Sequence, residues 1–321
     1  MYKYLSLFSG IGGFELGIQQ AYELQKMGTE PENSSDSSGG TSQHSERPLC
    51  IGYSEIDKYA IQIYERHFKH KNYGDITTIN ATELPDFDFL CGGFPCQSFS
   101  IAGKRGGFND TRGTLFFDIA RIVKEKQPRL LLLENVKGLL SHDNGQTFKT
   151  IISTLTELGY DLQWQVLNSK NFGVPQNRER VFIVGHFRGT SRPEVFPIVG
   201  KSEEDNRTVG QEISYTIDAN YAKGTNTLNK SRRQVIRQPL KFMNRNQKNI
   251  IGDYAYTVDS LNTGGIKENS RIRRLTPIEC ERLQGFPDGW TEGISDTQRY
   301  KTLGNAVTVN VIIEIMKRLW N

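Results

Sequence analysis

Short apolar runs alternate with amphipathic helical patterns over the first 187 residues of the chain. The first run, at 4–8, leads into a glycine-rich turn, and apolar residues then recur at helical spacing up to Met27. Strands that alternate with helices are typical of an α/β fold with a mostly parallel sheet, in which ligands bind at the carboxyl ends of the strands. We therefore predict a nucleotide-binding type of α/β domain over residues 1–187.

Groups able to do chemistry follow several of the predicted strands. Glu55, Asp75, Cys96 and Glu134 each end or follow a strand pattern, and the glycine turn follows the first one. Because the carboxyl ends of parallel strands meet at one edge of a sheet, we expect these groups to converge there. The strand patterns lie at 4–8, 49–54, 73–76, 87–91, 129–136, 160–168 and 181–186, and the helical patterns at 14–27, 58–68, 113–126 and 146–158.

The turn after the first strand carries Gly10, Gly12, Gly13 and, further on, Gly17. This spacing is not the G-x-G-x-x-G of dinucleotide-binding folds, so it is only a weak signal for a pyrophosphate. A glycine turn at a helix N-terminus still suits an anionic group, and a plain tight turn is the other interpretation. Glu55 likewise either binds ribose hydroxyls or places a negative charge at the start of the following helix.

A single cysteine, Cys96, lies in the stretch GGFPCQSFS at 92–100. Pro95 restricts the backbone just before it, and a glycine-rich loop continues through Gly107. A lone cysteine is more often a small buried residue than a reactive one, so the stretch alone favours a structural role. A reactive role for Cys96 depends on the neighbours that the fold gives it.

Composition narrows the class of protein. The chain has 321 residues, a net charge of +4 and four cysteines, which is enough length for two domains. It has no apolar run long enough for a transmembrane helix and no signal-peptide layout at its N-terminus. The cysteines have no paired C-x-x-C spacing, so we expect reduced thiols in a cytosolic protein without a metal site.

The segment 188–271 differs in composition from the rest of the chain. No acidic residue lies between Asp218 and Asp253, although cations are frequent there. Such a segment is a candidate binding face for a polyanion, and an ordinary solvated face is the alternative. The cations are Lys223, Lys230, Arg232, Arg233, Arg237, Lys241, Arg245 and Lys248.

Helical patterns return after this segment. Thr276, Pro277 and Glu279 have the order of an N-cap, a first helical residue and a capping-box acid. The stretch 300–305 predicts a Gly–Asn turn, and 309–319 predicts a final amphipathic helix. The C-terminal part of the chain is therefore expected to be α-helical.

Motifs along the whole chain, in this order, make it similar to the DNA (cytosine-5) methyltransferases of bacterial and phage modification systems. The resemblance leaves out the low-complexity insertion 30–48 and is loose over 188–271. The motifs are FSGIGG at 8–13, GFPCQ at 93–97, ENV at 134–136, QNRER at 176–180, RLQGFP at 282–287 and GNAV at 304–307.

The resemblance implies S-adenosylmethionine as the cofactor and S-adenosylhomocysteine as the product. It implies that the glycine turn binds the methionine part, that Glu55 binds the ribose, and that the C-terminal turn returns to complete the pocket. The implied cofactor-binding residues are Phe8, Ser9, Gly10, Gly12, Gly13, Phe14, Glu55, Ile56, Asp75, Ile76, Phe94, Asn305, Ala306 and Val307. A dinucleotide fingerprint would not be needed, because this cofactor has no pyrophosphate.

The resemblance also assigns the chemistry. Cys96 would add as a thiolate to C6 of cytosine and make C5 nucleophilic. Glu134, carrying or sharing a proton, would meet N3 of the base. Arg178 and Arg180 would orient Glu134 or Cys96, or contact the base carbonyl, and Asn135 would bond the base or hold the loop.

A stacked cytosine cannot be reached by these groups, so the resemblance implies base flipping from duplex DNA. The loop 97–110 would close over the base, and the expected DNA contacts are Gln97, Ser98, Lys104, Arg105, Arg112, Arg232, Arg233, Arg237, Thr257, Gly264 and Gly265. The implied domains are a Rossmann-like catalytic domain at 1–187 completed by 299–321, a smaller β-rich target-recognition domain at 188–271, and a hinge at 272–298.

Further expectations concern the binding partners of the protein and the alternative functions. The chain is expected to act as a monomer on nucleoid DNA in a bacterial cytoplasm, away from membranes, with a cognate restriction endonuclease as a potential partner. The alternatives are a tRNA cytosine-5 methyltransferase of the same fold and a catalytically silent DNA-binding protein. A nicotinamide-dependent oxidoreductase is disfavoured by the missing G-x-G-x-x-G pattern.

Overall fold

The structure is a computed structural model that describes most of the chain outside the insertion, the loop after Pro95 and the basic segment. The described residues are 2–27, 47–95, 115–190, 193–200, 214–215, 266–268, 271–273 and 275–320. No helix within these ranges is long and apolar enough to cross a membrane.

Strands and helices alternate through the first half of the described chain, and helices dominate its end. The strands are β1 (Lys3–Leu7), β2 (Leu49–Ser54), β3 (Phe89–Gly93), β4 (Leu130–Val136), β5 (Tyr160–Asn168), β6 (Gln176–Asn177), β7 (Glu179–Phe187), β8 (Ser214–Tyr215), β9 (Ile266–Glu268) and β10 (Arg271–Arg273). The helices are α1 (Gly13–Met27), α2 (Lys58–His67), α3 (Leu115–Lys126), α4 (Gln146–Glu157), α5 (Pro277–Leu283), α6 (Asp296–Asn305) and α7 (Val309–Leu319).

One six-stranded sheet organises the described chain, in the order β2-β1-β3-β4-β7-β5. The pairs among β2, β1, β3 and β4 are parallel, and β7 runs antiparallel to both of its neighbours. The predicted α/β fold with a mostly parallel sheet is confirmed. The central strands are continuous apolar runs because both faces of the sheet are covered. Leu5 and Leu90, for example, are fully buried.

The register of the parallel strands brings their carboxyl ends to one edge. Leu7 of β1 pairs with Ser54 of β2 on one side and with Gly92 of β3 on the other. Gly93 then pairs with Glu134 of β4. The turn after β1, the residues after β2 and the Glu134 carboxyl therefore share one edge of the sheet, as the sequence predicted.

The last helix belongs to the same folded unit as the first. Gly17 of α1 faces α7 so closely that a Cβ atom there would lie 2.6 Å from Cβ of Ile312. The segment 275–298 also packs on this unit, since the Trp290 indole donates a hydrogen bond to the Ile11 carbonyl at 2.9 Å. The described residues of the expected hinge thus contact the glycine turn itself.

A buried carboxylate fixes the loop that carries Trp290. Glu281 has no exposed surface, and it accepts hydrogen bonds from the backbone N–H groups of Gly289 and Thr291. The Arg299 guanidinium lies 3.0 Å from the same carboxylate. Because its oxygens have hydrogen-bond donors and a counter-charge, the buried ion holds a defined loop geometry.

Two local predictions were wrong and one was confirmed in detail. The stretch 73–76 does not form a strand, because Asp75 accepts hydrogen bonds from Thr77 and begins a 3-10 helix, and only a bridge from Asn72 to Tyr53 remains. The stretch 300–305 is not a turn but the end of α6. Thr276 is the N-cap of α5 and forms the predicted capping box with Glu279.

Glu15 of α1 is a buried carboxyl group with a raised pKa. Its side chain is 1% exposed, and Oε1 accepts a hydrogen bond from the Tyr64 hydroxyl at 3.0 Å. Burial raises its pKa from 4.5 to about 7, although nearby Ser6 and Tyr64 favour the charged form. The folded state therefore binds the Glu15 proton more tightly than the unfolded chain does.

We expect the stability of the protein to depend on pH through this group. A raised folded pKa stabilises the fold fully below about 4.5, and this stabilisation is lost as the pH rises through about 7. The unfolding free energy of the wild type, relative to Glu15→Gln, should fall by about 3 kcal/mol between pH 4.5 and 8. Urea denaturation of both proteins measures it, and a pH-independent difference would contradict it.

Candidate active site

A cavity of about 510 Å³ opens at the carboxyl ends of β1–β4. Its volume lies within the range of small-molecule and cofactor sites. It mixes apolar side chains with carboxylates, guanidinium groups and glycine backbone. The lining residues are Phe8, Gly10, Ser54, Glu55, Ile56, Asp75, Ile76, Gly93, Phe94, Pro95, Leu115, Glu134, Asn135, Val136, Arg178, Arg180, Gly304 and Asn305.

The turn after β1 is held in a strained conformation at this cavity. Phe8 has a φ of 54°, a left-handed value that is rare for an aromatic residue. The Ser9 N–H bonds to the Ser54 carbonyl at 3.2 Å, and the Gly12 N–H bonds back to Ser9 at 3.0 Å. Strain of this kind is retained where the surroundings impose it and is frequent at functional sites.

Glu55 ties the glycine turn to the end of β2. Its Oε2 accepts a hydrogen bond from the Gly10 N–H at 2.9 Å, and its Oε1 accepts from the N–H groups of Ile56 and Asp57, each at 2.8 Å. The sequence left open whether Glu55 binds ribose or serves the start of the following helix, and these contacts give it at least a structural role. The carboxylate is fixed at the cavity wall with lone-pair capacity remaining on Oε2.

Glycines at two positions serve different purposes. Gly10 has a φ of +55°, and a Cβ atom there would meet no atom within 4 Å, so its backbone faces open space. A Cβ atom at Gly93 would lie 2.9 Å from Oε2 of Glu134. Gly93 therefore lets the β3 backbone approach the Glu134 carboxyl closely.

Glu134 and Arg180 form an ion pair at the cavity. The Arg180 Nε lies 3.1 Å from Glu134 Oε1, and the two side chains are only 15% and 12% exposed. Burial lowers the pKa of the Arg180 guanidinium, and the Glu134 carboxylate opposes that shift. Since Arg180 also donates to the Glu179 carbonyl at 2.8 Å, the pair has a fixed orientation.

Arg178 has a different set of contacts. Its guanidinium is buried and donates to the carbonyls of Ala306 at 2.7 Å and Gly304 at 3.3 Å. Gln284 also holds the end of α6, because its side-chain amide donates to the Leu303 carbonyl at 3.1 Å. These contacts hold the backbone around Asn305, so that this exposed residue lines the cavity.

Asn135 holds the main chain that leads to Cys96. Its Nδ2 donates to the Phe94 carbonyl at 2.9 Å, and its Oδ1 accepts from the Val136 N–H at 2.8 Å. The amide is buried between the ends of β3 and β4. The contact fixes the main chain at Phe94, and the next residue, Pro95, lines the cavity. Whether Asn135 bonds the base or holds the loop stays a prediction.

The described cysteines are unsuited to nucleophilic chemistry. Cys50, Cys91 and Cys280 are buried free thiols. Burial raises the pKa of Cys50 to about 12, and it also raises the pKa of Cys91 and Cys280. A thiol with such a pKa is almost wholly protonated at neutral pH and reacts poorly.

The structure brings most of the described site candidates together. The other candidates are buried and do not line the cavity: Phe14 and Val307 are core residues, and the Phe68 ring blocks the Cβ position of Gly12. These buried candidates are Ser9, Gly12, Gly13, Phe14, Ala306 and Val307. Several predictions lie outside the described residues: Cys96, Gln97, Ser98, Lys104, Arg105, Arg112, Arg232, Arg233, Arg237, Thr257, Gly264 and Gly265.

Some lining residues were not predicted. Ser54 adjoins the predicted cofactor residue Glu55, and Val136 and Gly304 belong to the ENV and GNAV motifs, so these positions were the available signal. Leu115 begins α3 and lines the cavity without any such signal. Its side chain adds to the apolar part of the wall.

Solved structures with this fold include methyltransferases. The chain aligns with the DNMT2 structure of Spodoptera frugiperda at a TM-score of 0.64 and 19% identity, covering 100% of both chains. It aligns with a putative DNA modification methyltransferase encoded within an E. coli prophage at a TM-score of 0.59 and 18% identity, covering 100% and 99% of the two chains. At such identities the likeness concerns the fold.

Sequence relatives are much more similar. Type II methyltransferase M.NgoBI of Neisseria gonorrhoeae is 41% identical over 324 residues, which are 97% of this chain and 91% of that protein. Type II methyltransferase M.HhaI of Haemophilus parahaemolyticus is 36% identical over 325 residues, with the same coverage of 97% and 91%. The family model for C-5 cytosine-specific DNA methylases matches residues 2–321, and the chain belongs to that family.

Proposed function

We propose that this DNA (cytosine-5) methyltransferase uses S-adenosylmethionine to methylate one cytosine of a specific duplex sequence, as the modification enzyme of a type II restriction-modification system. Its relatives include bacterial type II methyltransferases. The observation that carries the chemistry is the Glu134–Arg180 ion pair in the cavity where the chain reaches Pro95. It would place a fixed carboxyl group next to the segment that begins with Cys96.

The cavity fits S-adenosylmethionine in its chemistry. Phe8, Ile76 and Phe94 form apolar parts of the wall. The Ile56 side chain, which is 70% exposed at the same wall, would be covered by a planar ring of the cofactor. Glu55 offers an acceptor for hydroxyl groups, and the open face of Gly10 admits close approach. Asn305 and Asp75 complete the polar wall. The cofactor, when bound there, supplies the methyl group that C5 of cytosine receives.

The protein's own residues would prepare the base. Cys96, as a thiolate, adds to C6 and forms the Sγ–C6 bond, and electron density moves toward C5 and N3. Glu134 donates or shares a proton at N3 and so offsets the developing charge. After C5 is methylated, N3 returns its proton to Glu134 and a base takes the proton from C5. The C5–C6 double bond then re-forms, the Sγ–C6 bond breaks and Cys96 leaves as a thiolate.

Other side chains would orient the reacting groups without contacting the base. Arg180 orients Glu134, and Arg178 holds the Gly304–Ala306 backbone rather than reaching for the base. Asn135 fixes Phe94 and thereby the direction of the chain at Pro95. Arg178 and Asn135 are thus positioning residues in this proposal, because their contacts are with the protein.

The domain assignment remains part of the proposal. Residues 1–187 and 299–321 would form the catalytic domain, 272–298 would be the hinge, and 188–271 would read the DNA sequence from the major groove. The basic composition of that segment supports the assignment. Base flipping and loop closure over residues 97–110 would follow from the need to reach C6.

The choice of nucleic acid is tested with labelled cofactor. The purified protein is incubated with methyl-labelled S-adenosylmethionine and either duplex DNA of varied sequence or bulk tRNA. Label in DNA alone is the expected result, and label in tRNA alone would overturn the proposal. Bisulfite sequencing of DNA from cells that express the protein should then show one cytosine methylated in one short sequence, whereas scattered methylation would argue against a modification enzyme.

A further inference from the structure

The cavity at the sheet edge is assembled from stretches of chain that are far apart in sequence. Glu55 and Ile56, which follow β2, line one part of it, and Gly304 and Asn305 at the end of α6 line another. The cavity keeps its width only if contacts between distant residues fix the two stretches relative to each other.

An ion pair between Lys301 and Asp57 joins the two stretches. Lys301 Nζ lies 2.7 Å from Asp57 Oδ2, across 244 residues of sequence. Asp57 lies two residues after Glu55. Lys301 lies four residues before Asn305 on α6, and residues at this spacing share one face of a helix. The pair therefore links the wall that contains Glu55 to the wall that contains Asn305.

The Asp57 carboxylate is held in a fixed direction. Its Oδ1 accepts hydrogen bonds from the N–H groups of Tyr59 at 2.9 Å and Ala60 at 3.3 Å, as the N-cap of α2. Its own N–H donates to Glu55 Oε1 at 2.8 Å. Burial opposes its charge, but the bonds from Lys301 and from the two N–H groups hold the pKa of Asp57 below its usual value. Asp57 is thus a charged and rigid anchor beside the cavity wall.

The end of α6 is held by other residues in different directions. Arg178 and Gln284 donate to main-chain carbonyls within 303–306. These bonds connect the end of α6 with the QNRER segment and with the end of α5. The bond from Lys301 connects the same helix with the start of α2, so it sets where Asn305 lies relative to α2.

Further contacts pack α2 against the segment before α6. The His67 ring stacks on the Trp290 indole, with ring centroids 3.6 Å apart and planes 4° from parallel. The Gln62 amide donates to the Gly293 carbonyl at 3.0 Å. These contacts lie along the helix and at its far end, whereas the bond to Lys301 lies at the end of α2 that adjoins the cavity.

We propose that Lys301 is a positioning residue for the cofactor and acts through its ion pair with Asp57. The pair sets the distance between the wall with Glu55 and Ile56 and the wall with Asn305, and so fits the cavity to its ligand. Neither member of the pair is among the described residues that line the cavity, so both act without touching the ligand. The inference rests on the proposed binding of S-adenosylmethionine in this cavity.

The test is isothermal titration calorimetry of the full chain with S-adenosylhomocysteine. Lys301→Ala removes the ammonium group, and Asp57→Asn removes the negative charge but keeps an equally good N-cap for α2. Each variant should bind about three- to fivefold more weakly than the wild type, the upper part of the range for partly exposed ion pairs. The double variant should bind about as weakly as each single variant, because both changes remove the same contact.

A matched ion pair on α7 provides the control. Lys317 lies 2.9 Å from Glu314, and the two side chains are 38% and 43% exposed, compared with 43% and 28% for Lys301 and Asp57. Lys317→Ala should bind the product as the wild type does, and Lys301→Arg, which keeps a cation, should recover most of the lost affinity. In steady-state kinetics Lys301→Ala should raise KM for S-adenosylmethionine and leave kcat at saturating cofactor within about twofold.

The outcomes separate this inference from the proposed function. A wild type that binds no S-adenosylhomocysteine would overturn the proposed cofactor, and this inference with it. A wild type that binds it, with Lys301→Ala and Asp57→Asn binding equally well, would overturn only the role of Lys301. An equal loss of affinity in Lys317→Ala would also overturn that role, because a general loss of stability would then explain the effect.

Discussion

Replacing Cys96 by serine is expected to lower kcat for DNA methylation at least about a thousandfold, because a serine hydroxyl is a far weaker nucleophile than a thiolate. The variant should also fail to form a covalent adduct with duplex DNA that carries 5-fluorocytosine at the target. With the wild type, fluorine at C5 blocks the final proton loss, so the Sγ–C6 bond persists. Denaturing gel electrophoresis of enzyme, cofactor and fluorinated DNA detects the adduct.

Cys50→Ser is the matched control for this experiment. Cys50 is buried, its thiol donates to the Gly52 carbonyl at 3.3 Å, and a serine hydroxyl can make the same contact. Its pKa of about 12 makes it unsuitable as a nucleophile. Cys50→Ser should therefore keep the adduct and most of the activity. An adduct that survives Cys96→Ser, or activity within tenfold of the wild type, would contradict the covalent mechanism.

The sheet edge could be predicted from the sequence because its pattern is local. Each apolar run with its terminal glycine or acid is visible within about ten residues, and the parallel arrangement of such runs follows from the alternation with helices. The cavity at this edge contains Gly10, Glu55, Asp75 and Glu134, as that reasoning requires. The capping box at Thr276 was predictable for the same reason, since its partner lies three residues away.

The two wrong predictions failed because other interactions outweighed the local sequence pattern. Around 73–76 the apolar residues suggested a strand, but Asp75 bonds its own following backbone and begins a 3-10 helix. At 300–305 the Gly–Asn pair suggested a turn, but the buried side chains of Tyr300 and Leu303 keep the segment helical to its end. Tertiary packing overrode the weak propensity of glycine there.

The supporting contacts of the site could not have been predicted, because they join residues distant in sequence. Arg178 bonds carbonyls 126 and 128 residues away, and Trp290 bonds the Ile11 carbonyl across 279 residues. The family resemblance gave Arg178 and Arg180 the same potential roles. The three-dimensional fold separates them, with Arg180 on the carboxyl and Arg178 on the backbone.

The Glu134–Arg180 ion pair predicts unequal effects for its two members. Glu134→Gln should lower kcat about 10²–10⁴-fold, the usual contribution of a positioned proton donor, with little change in KM for DNA. Arg180→Lys should cost less, about ten- to a hundredfold, because lysine keeps the charge but loses the planar geometry that orients Glu134. Steady-state kinetics with a methyl-labelled cofactor measures both, and thermal denaturation of each variant checks folding.

An exposed ion pair beside the site provides the control. Lys137 and Glu179 approach to 2.9 Å and flank the buried pair, but their side chains are 55% and 43% exposed. Exposed pairs contribute about 0–1 kcal/mol, so Lys137→Ala should change kcat by less than about fivefold. If Lys137→Ala and Glu134→Gln reduced kcat equally, a general disturbance of β4 and β7 would explain both. A selective loss on changing Glu134, in a variant that still melts cooperatively, is the result expected when the carboxyl group itself acts on the base.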